Sequence, residues 1–155
     1  MKVYLAAAWH RKKEMKALSL ELNMHNIQVN SRWLDENTEG KVVDKDYLKN
    51  NALNDLDDVR TCDVLVRFTD EEFINPTAID GEYCPDTEYV PKKLLSGARL
   101  VEMGYALAFG KKVIVVGGHQ PIFDYLPQVL HVKDVTELKH VLSGISFSVG
   151  GICVR

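Results

Sequence analysis

One helix-length stretch of this chain carries a charged side chain where its neighbours predict none. From Leu100 to Gly110 every residue except Glu102 is apolar, aromatic or glycine, so the helix is expected to be buried on most sides, and a lone carboxylate within it is costly unless paired or used. Ser96 suits the N-cap of this helix, which puts Glu102 in the second turn, near the positive end of the helix dipole. That position favours the ionised form, as a nucleophilic carboxylate requires. The plainer alternatives are a glutamate that reaches solvent, or one that pairs with Arg99 three residues earlier.

A second acid is selected by helical phase. If Leu48, Ala52, Leu56 and Val59 form the apolar stripe of a helix over about 45–60, Asp55 falls inside the stripe while Asp57 and Asp58 fall outside it. Two inward carboxylates from separate helices suit the acid and nucleophile roles that sugar-transfer chemistry needs. Asp63 directly precedes a strand pattern and reads as a turn or cap residue.

The elements that must position these acids alternate along the chain. Short apolar runs at Val3–Ala7, Val64–Phe68, Val113–Gly118 and Val129–Val132, with an alternating run at Ile27–Leu34, read as strands. Between them lie helical patterns over about 13–26, 45–60, 97–109 and 135–142. The first of these carries Met15, Leu18, Leu22 and Met24. Strands separated by helices predict a single α/β domain over 1–155: a doubly wound, five-stranded parallel sheet, since each parallel connection needs a crossover. In such a sheet a ligand sits at the carboxyl ends of the strands, where their order reverses. Trp9, His10 and Arg11 follow the first strand, Asp70, Glu71 and Glu72 the third, and Gly117, Gly118 and His119 the fourth. The stretch 70–91 is long for a plain connection and reads as a lid or binding loop, with a mobile surface loop as the alternative. The stretch 143–155 reads as an added strand or an oligomer contact.

Composition narrows the class further. The 155 residues carry a formal net charge of -3, which offers no basic footprint for nucleic acid. Cys62, Cys84 and Cys153 are far apart and odd in number, which fits neither a zinc site nor a disulfide framework and reads as reduced thiols. The amino terminus runs straight into a strand pattern, and no run approaches membrane-spanning length. A soluble, cytoplasmic protein with no membrane partner, no metal and no cofactor is expected. His25, His131 and His140 read as surface residues.

Three phrases resemble one family. Tyr4–Trp9 (YLAAAW), Asn54–Asp63 (NDLDDVRTCD) and Glu102–Val116 (EMGYALAFGKKVIVV) are similar, in order and spacing, to nucleoside 2-deoxyribosyltransferases and the related nucleoside 5′-monophosphate N-glycosidases. The resemblance covers Lys2 to about Val116 and implies a flavodoxin-like, Rossmann-like fold. It implies that Glu102 is the nucleophile taking the sugar, that Asp55 handles the base proton, and that Tyr4 hydrogen-bonds the glutamate. It further implies a nucleoside or nucleotide as the small-molecule partner and a homo-oligomer. In the transferases the residue six before the nucleophile is an acid holding the sugar 5′-hydroxyl, whereas this chain has Ser96, as the monophosphate hydrolases do. A hydroxyl and free amides at a helix N-terminus suit a phosphate, with Arg99, Trp9, His10 and Arg11 as further binding candidates. Ala98 and Leu100 occupy positions where the hydrolases commonly have glycine. Trp9 reads either as a base-stacking residue or as core. His119 and Tyr125, after the fourth strand, lie where the transferases borrow residues from a neighbouring subunit. The reading inclines to 5′-monophosphate hydrolysis. The alternatives are transfer between free nucleosides and a non-catalytic nucleotide sensor.

Overall fold

β-branched runs supply the sheet. In the computed structural model, which describes residues 1–37, 40, 42–69, 97–118 and 122–146, β1 (Lys2–Ala6), β2 (Gln28–Val29), β3 (Val64–Phe68), β4 (Lys112–Val116) and β5 (Val129–Val132) pair in the order β2-β1-β3-β4-β5. Every pairing is parallel. β3 is buried throughout, and β1 and β4 are buried after their first residue, as expected of central strands covered on both faces. This is the flavodoxin-like order, with its switch point between β1 and β3. Asp63 ties the beginnings of these two strands together, since its carboxylate accepts from the Lys2 amide at 2.7 Å.

Helices cover both faces of the sheet. α1 (Lys12–Met24) buries Met15, Leu18 and Leu22, spaced for one face, while Met24 is exposed. α2 (Lys45–Thr61) starts at Asp44, whose side chain accepts from the Tyr47 amide at 2.8 Å. α3 is Ala98–Ala108 and α4 is Val135–Ser146. Tyr4 lies beside Leu65, and Leu65 beside Val113, so these side chains share a face. The hydrogen bond from Tyr4 to Glu102 of α3 identifies it as the α3 face.

Several expectations change. The strand foreseen over Ile27–Leu34 is only Gln28–Val29, followed by a 3-10 turn at Arg32–Asp35. Side chains turn the backbone off the sheet edge there: Ser31 Oγ accepts from the Leu5 amide at 2.8 Å and Trp33 Nε1 donates to the Leu5 carbonyl at 2.8 Å. Asp58, assigned by phase to the outer side of α2, is 2% exposed. Arg32 donates to it from its backbone amide at 2.8 Å and from Nε at 2.7 Å. Leu48 and Ala52 are exposed rather than core, because the amino-terminal half of α2 flanks a cavity. α3 is buried on one side only, through Arg99, Glu102, Met103 and Ala106, while Val101 and Phe109 are exposed. An outer-layer helix packs one face whatever its composition. Ser143 to Ser146 continue α4 instead of beginning a strand, and 147–155 lie outside the described residues, as do Cys84 and Cys153. No described helix is long and apolar enough to cross a membrane.

Candidate active site

The carboxyl end of β1 opens into a cavity of about 380 Å³, within the size range of small-molecule sites. Ala7 and Trp9, just past β1, form one side. Trp9 lies 6.2 Å from Trp33, centroid to centroid, with the rings tilted by 40°. Val43, Leu48 and Ala52 add apolar wall. The polar groups are Glu36, Tyr47, Asn51, Asp55 and Glu102, and Ala98 closes the edge at the start of α3.

The two acids selected from the sequence thus line one cavity. Glu102 is 9% exposed, and the Tyr4 hydroxyl donates to its Oε1 at 2.8 Å. Tyr4 has no exposed surface. Burial pushes its phenol well above the ordinary value, helped by the charges of Glu102 and Asp55, so the hydroxyl keeps its proton and remains a donor. Burial also raises the Glu102 carboxyl, against the pull of the Tyr4 hydrogen bond and the Arg99 charge. Asp55 goes from 3.8 to about 7, first through burial, then through the charges of Glu102 and Glu36. Its Oδ1 is buried without a hydrogen-bond partner among the described residues. Burial thus raises both carboxyls: Asp55, at about 7, keeps its proton up to near neutrality as a general acid must, while the Tyr4 hydrogen bond and the Arg99 charge favour the ionised form of Glu102.

The other candidates divide. Trp9 and Ala98 line the cavity. Arg99 is 3% exposed and donates from Nη1 to the Phe68 carbonyl at 2.7 Å, so it anchors the end of β3 and reaches Glu102 by charge. Arg11 stays at the same strand end but off the cavity wall: it pairs with Glu14 at 2.6 Å, donates to the Thr69 carbonyl at 3.2 Å and stacks over Phe68. His10 and Gly118 are exposed and outside the lining. Ser96 and His119 lie outside the described residues, as does the stretch 70–91. Gly97 occupies the N-cap position foreseen for Ser96.

Trp33, Glu36, Tyr47 and Asn51 were not singled out from the sequence. Tyr47 and Asn51 had a usable signal, since they precede Asp55 by eight and four residues on the same helical face. Arg67 was also missed. It lies fully buried on β3 with its Nη2 donating to the Asp124 carboxylate, and the Asp124 backbone carbonyl accepts from His131 Nε2 at 2.7 Å. His131 is therefore half-buried and bonded rather than a surface residue. Gly117 holds the β4 exit close to β3: its φ is +101°, and a Cβ there would meet Thr69 Oγ1 at 2.2 Å. Among the described residues no group of His, Cys, Asp and Glu could hold a metal ion.

No protein-family model matches the sequence, and no curated protein does. Solved structures do. A CMP N-glycosidase from Clostridium botulinum is similar over 95% of this chain and 99% of its own, with a TM-score of 0.52 and 19% identity. A 2-deoxyribosyltransferase from Bacillus psychrosaccharolyticus is similar over 90% of each chain, with a TM-score of 0.61 and 14% identity. At such identities the likeness establishes the fold.

Proposed function

We propose that this chain cleaves or exchanges the N-glycosidic bond of a nucleoside or nucleoside 5′-monophosphate through a glycosyl ester on Glu102. The observation that carries this reading is the hydrogen bond from Tyr4 to Glu102 beside a protonatable Asp55 in one apolar cavity. The names of the two similar structures support the same reaction class. Tyr4 occupies Oε1 of Glu102, which leaves Oε2 to form the bond to C1′. As that bond forms, the C1′–N bond breaks with its electron pair moving onto the base, and Asp55 gives the base its proton. Water or a second base then attacks C1′ and passes its proton to Asp55, and Glu102 departs as a carboxylate. The tilted pair Trp9 and Trp33 offers aromatic surface to the base.

We place the sugar 5′ position at the amino end of α3, where Ala98 borders the cavity and the helix dipole favours an anion. An anion-favouring helix end at that edge suits a 5′-monophosphate better than a free 5′-hydroxyl. The exposed apolar side of α3, with Val101 and Phe109, supports a homo-oligomer, and sedimentation as a monomer at working concentration would argue against it. The direct test is to incubate the protein with nucleosides and their 5′-monophosphates and measure free base. Release of base, faster from the monophosphate, is expected; tight binding without release would favour a sensor.

A further inference from the structure

Two tryptophans line the cavity, and they are held in different ways. Trp33 is 7% exposed and its Nε1 donates to the Leu5 carbonyl at 2.8 Å, so packing and a hydrogen bond to β1 fix its ring. Trp9 is 50% exposed, and among the described residues no hydrogen bond fixes its indole. A half-exposed ring that can turn about its side-chain bonds needs another restraint if one surface is to be presented to a ligand.

Lys12 supplies that restraint. It lies three residues after Trp9, on the same side of the turn that leads from the 3-10 segment Trp9–Arg11 into α1. Its Nζ sits 4.4 Å from the centroid of the Trp9 ring, within reach of a cation–π attraction, for which indole is the strongest partner. The same ammonium donates to the Glu36 backbone carbonyl. Trp9 and Glu36 both line the cavity while Lys12 does not, so the ammonium bridges two parts of the wall from behind. One part follows β1 and the other ends the 3-10 turn Arg32–Asp35. The Trp9 surface turned to the cavity is therefore the one that Lys12 leaves uncovered.

We propose that Lys12 is a positioning residue for the leaving base: it clamps the Trp9 ring to the Glu36 turn, so that the uncovered surface of the indole stands ready to stack on the base. The inference rests on the reading that the cavity holds a nucleoside or nucleotide. A ring fixed beforehand loses less freedom when the base stacks on it, and the gain appears in binding rather than in the chemical step. Lys12 acts through Trp9 and touches neither the base nor the reacting atoms.

The test is base release from CMP and AMP by the parent, Lys12→Met and Lys12→Arg, with ribose 5-phosphate as a competing ligand that has no base. Lys12→Met should raise KM by about three- to thirtyfold with kcat nearly unchanged, whereas Lys12→Arg, which keeps a cation over the ring, should stay near the parent. Inhibition by ribose 5-phosphate should be the same in all three. In a Trp9→Ala background Lys12→Met should add nothing, because the two residues act through one ring. An unchanged KM, or a further loss in the Trp9→Ala background, overturns the inference while the cleavage reading stands. So does a loss shared by ribose 5-phosphate, which would mean that the charge itself attracts the phosphate. If no base is released from either nucleotide, calorimetric titration with CMP and AMP decides. Binding that weakens with Lys12→Met and recovers with Lys12→Arg keeps the inference and rejects the cleavage reading, and equal or absent binding overturns the inference.

Discussion

Asp55→Asn should make the protein more stable at alkaline pH while crippling it as a catalyst. Folding lifts the carboxyl from 3.8 to about 7. The folded protein therefore holds a proton that the unfolded chain has released between about pH 4 and pH 7, and stability falls as pH rises through that window. A rise of about 3 pH units at 1.36 kcal/mol each would cost at most about 4 kcal/mol. Asp55 is only partly buried, and screening by solvent cuts the figure to about 2 kcal/mol. Asparagine has nearly the same shape and does not ionise, so it removes this cost. Urea unfolding at pH 4 and pH 8 is the assay. The variant should match the parent at pH 4 and exceed it by about 2 kcal/mol at pH 8, which is about 4–8 °C in melting temperature for a domain of this size. Its base release should suffer far more on natural bases than on leaving groups that depart without a proton. A variant less stable than the parent at pH 8, or a difference that ignores pH, would refute the account of Asp55.

Tyr4→Phe removes a donor to a carboxylate, worth about 1.5–3 kcal/mol, and should lower kcat/KM by about 10- to 100-fold. Because that hydrogen bond pulls the Glu102 carboxyl down, its loss should also move the acid limb of the pH–rate profile to higher pH; an unmoved limb would detach Tyr4 from Glu102. Asp124→Ala leaves the Arg67 guanidinium in the core without its carboxylate and should destabilise the fold by about 3–5 kcal/mol in urea unfolding. Ser96→Asp should turn a preference for the 5′-monophosphate into one for the nucleoside, since a carboxylate repels phosphate yet accepts from a free hydroxyl. The ratio of the two kcat/KM values reads this, and an unmoved ratio would remove the phosphate from the amino end of α3.

The sheet was legible because each central strand is a short, mainly apolar run between helical patterns, and burial on both faces favours that pattern. β2 was not. Its alternation through Trp33 looked like a strand, but Ser31 and Trp33 spend their hydrogen bonds on Leu5, a long-range choice that local pattern does not encode. The misreading of Asp58 follows from the same place, because its partner Arg32 sits in that 3-10 turn. Glu102 stood out because its neighbours are apolar. Asp55 was selected by a stripe whose amino-terminal half, Leu48 and Ala52, is cavity wall, while Val59 at its other end is core. Apolar periodicity marks a face hidden from water without saying whether protein or ligand hides it. Trp33 and Glu36 carried no signal of their own, since only the tertiary fold brings the 3-10 turn to the carboxyl end of β1. Arg67 was detectable in principle as a charge inside a strand, but its partner Asp124 lies 57 residues away.

Trapping the sugar on the enzyme tests the central claim most directly. A substrate carrying fluorine at the sugar 2′ position slows the breakdown of a glycosyl ester by destabilising its oxocarbenium-like transition state. Intact-protein mass spectrometry followed by peptide mapping should find one sugar per chain, attached to Glu102, and none on Glu102→Ala. An adduct on another residue, or base release by Glu102→Ala near the parental rate, would contradict the assignment of Glu102 as the nucleophile.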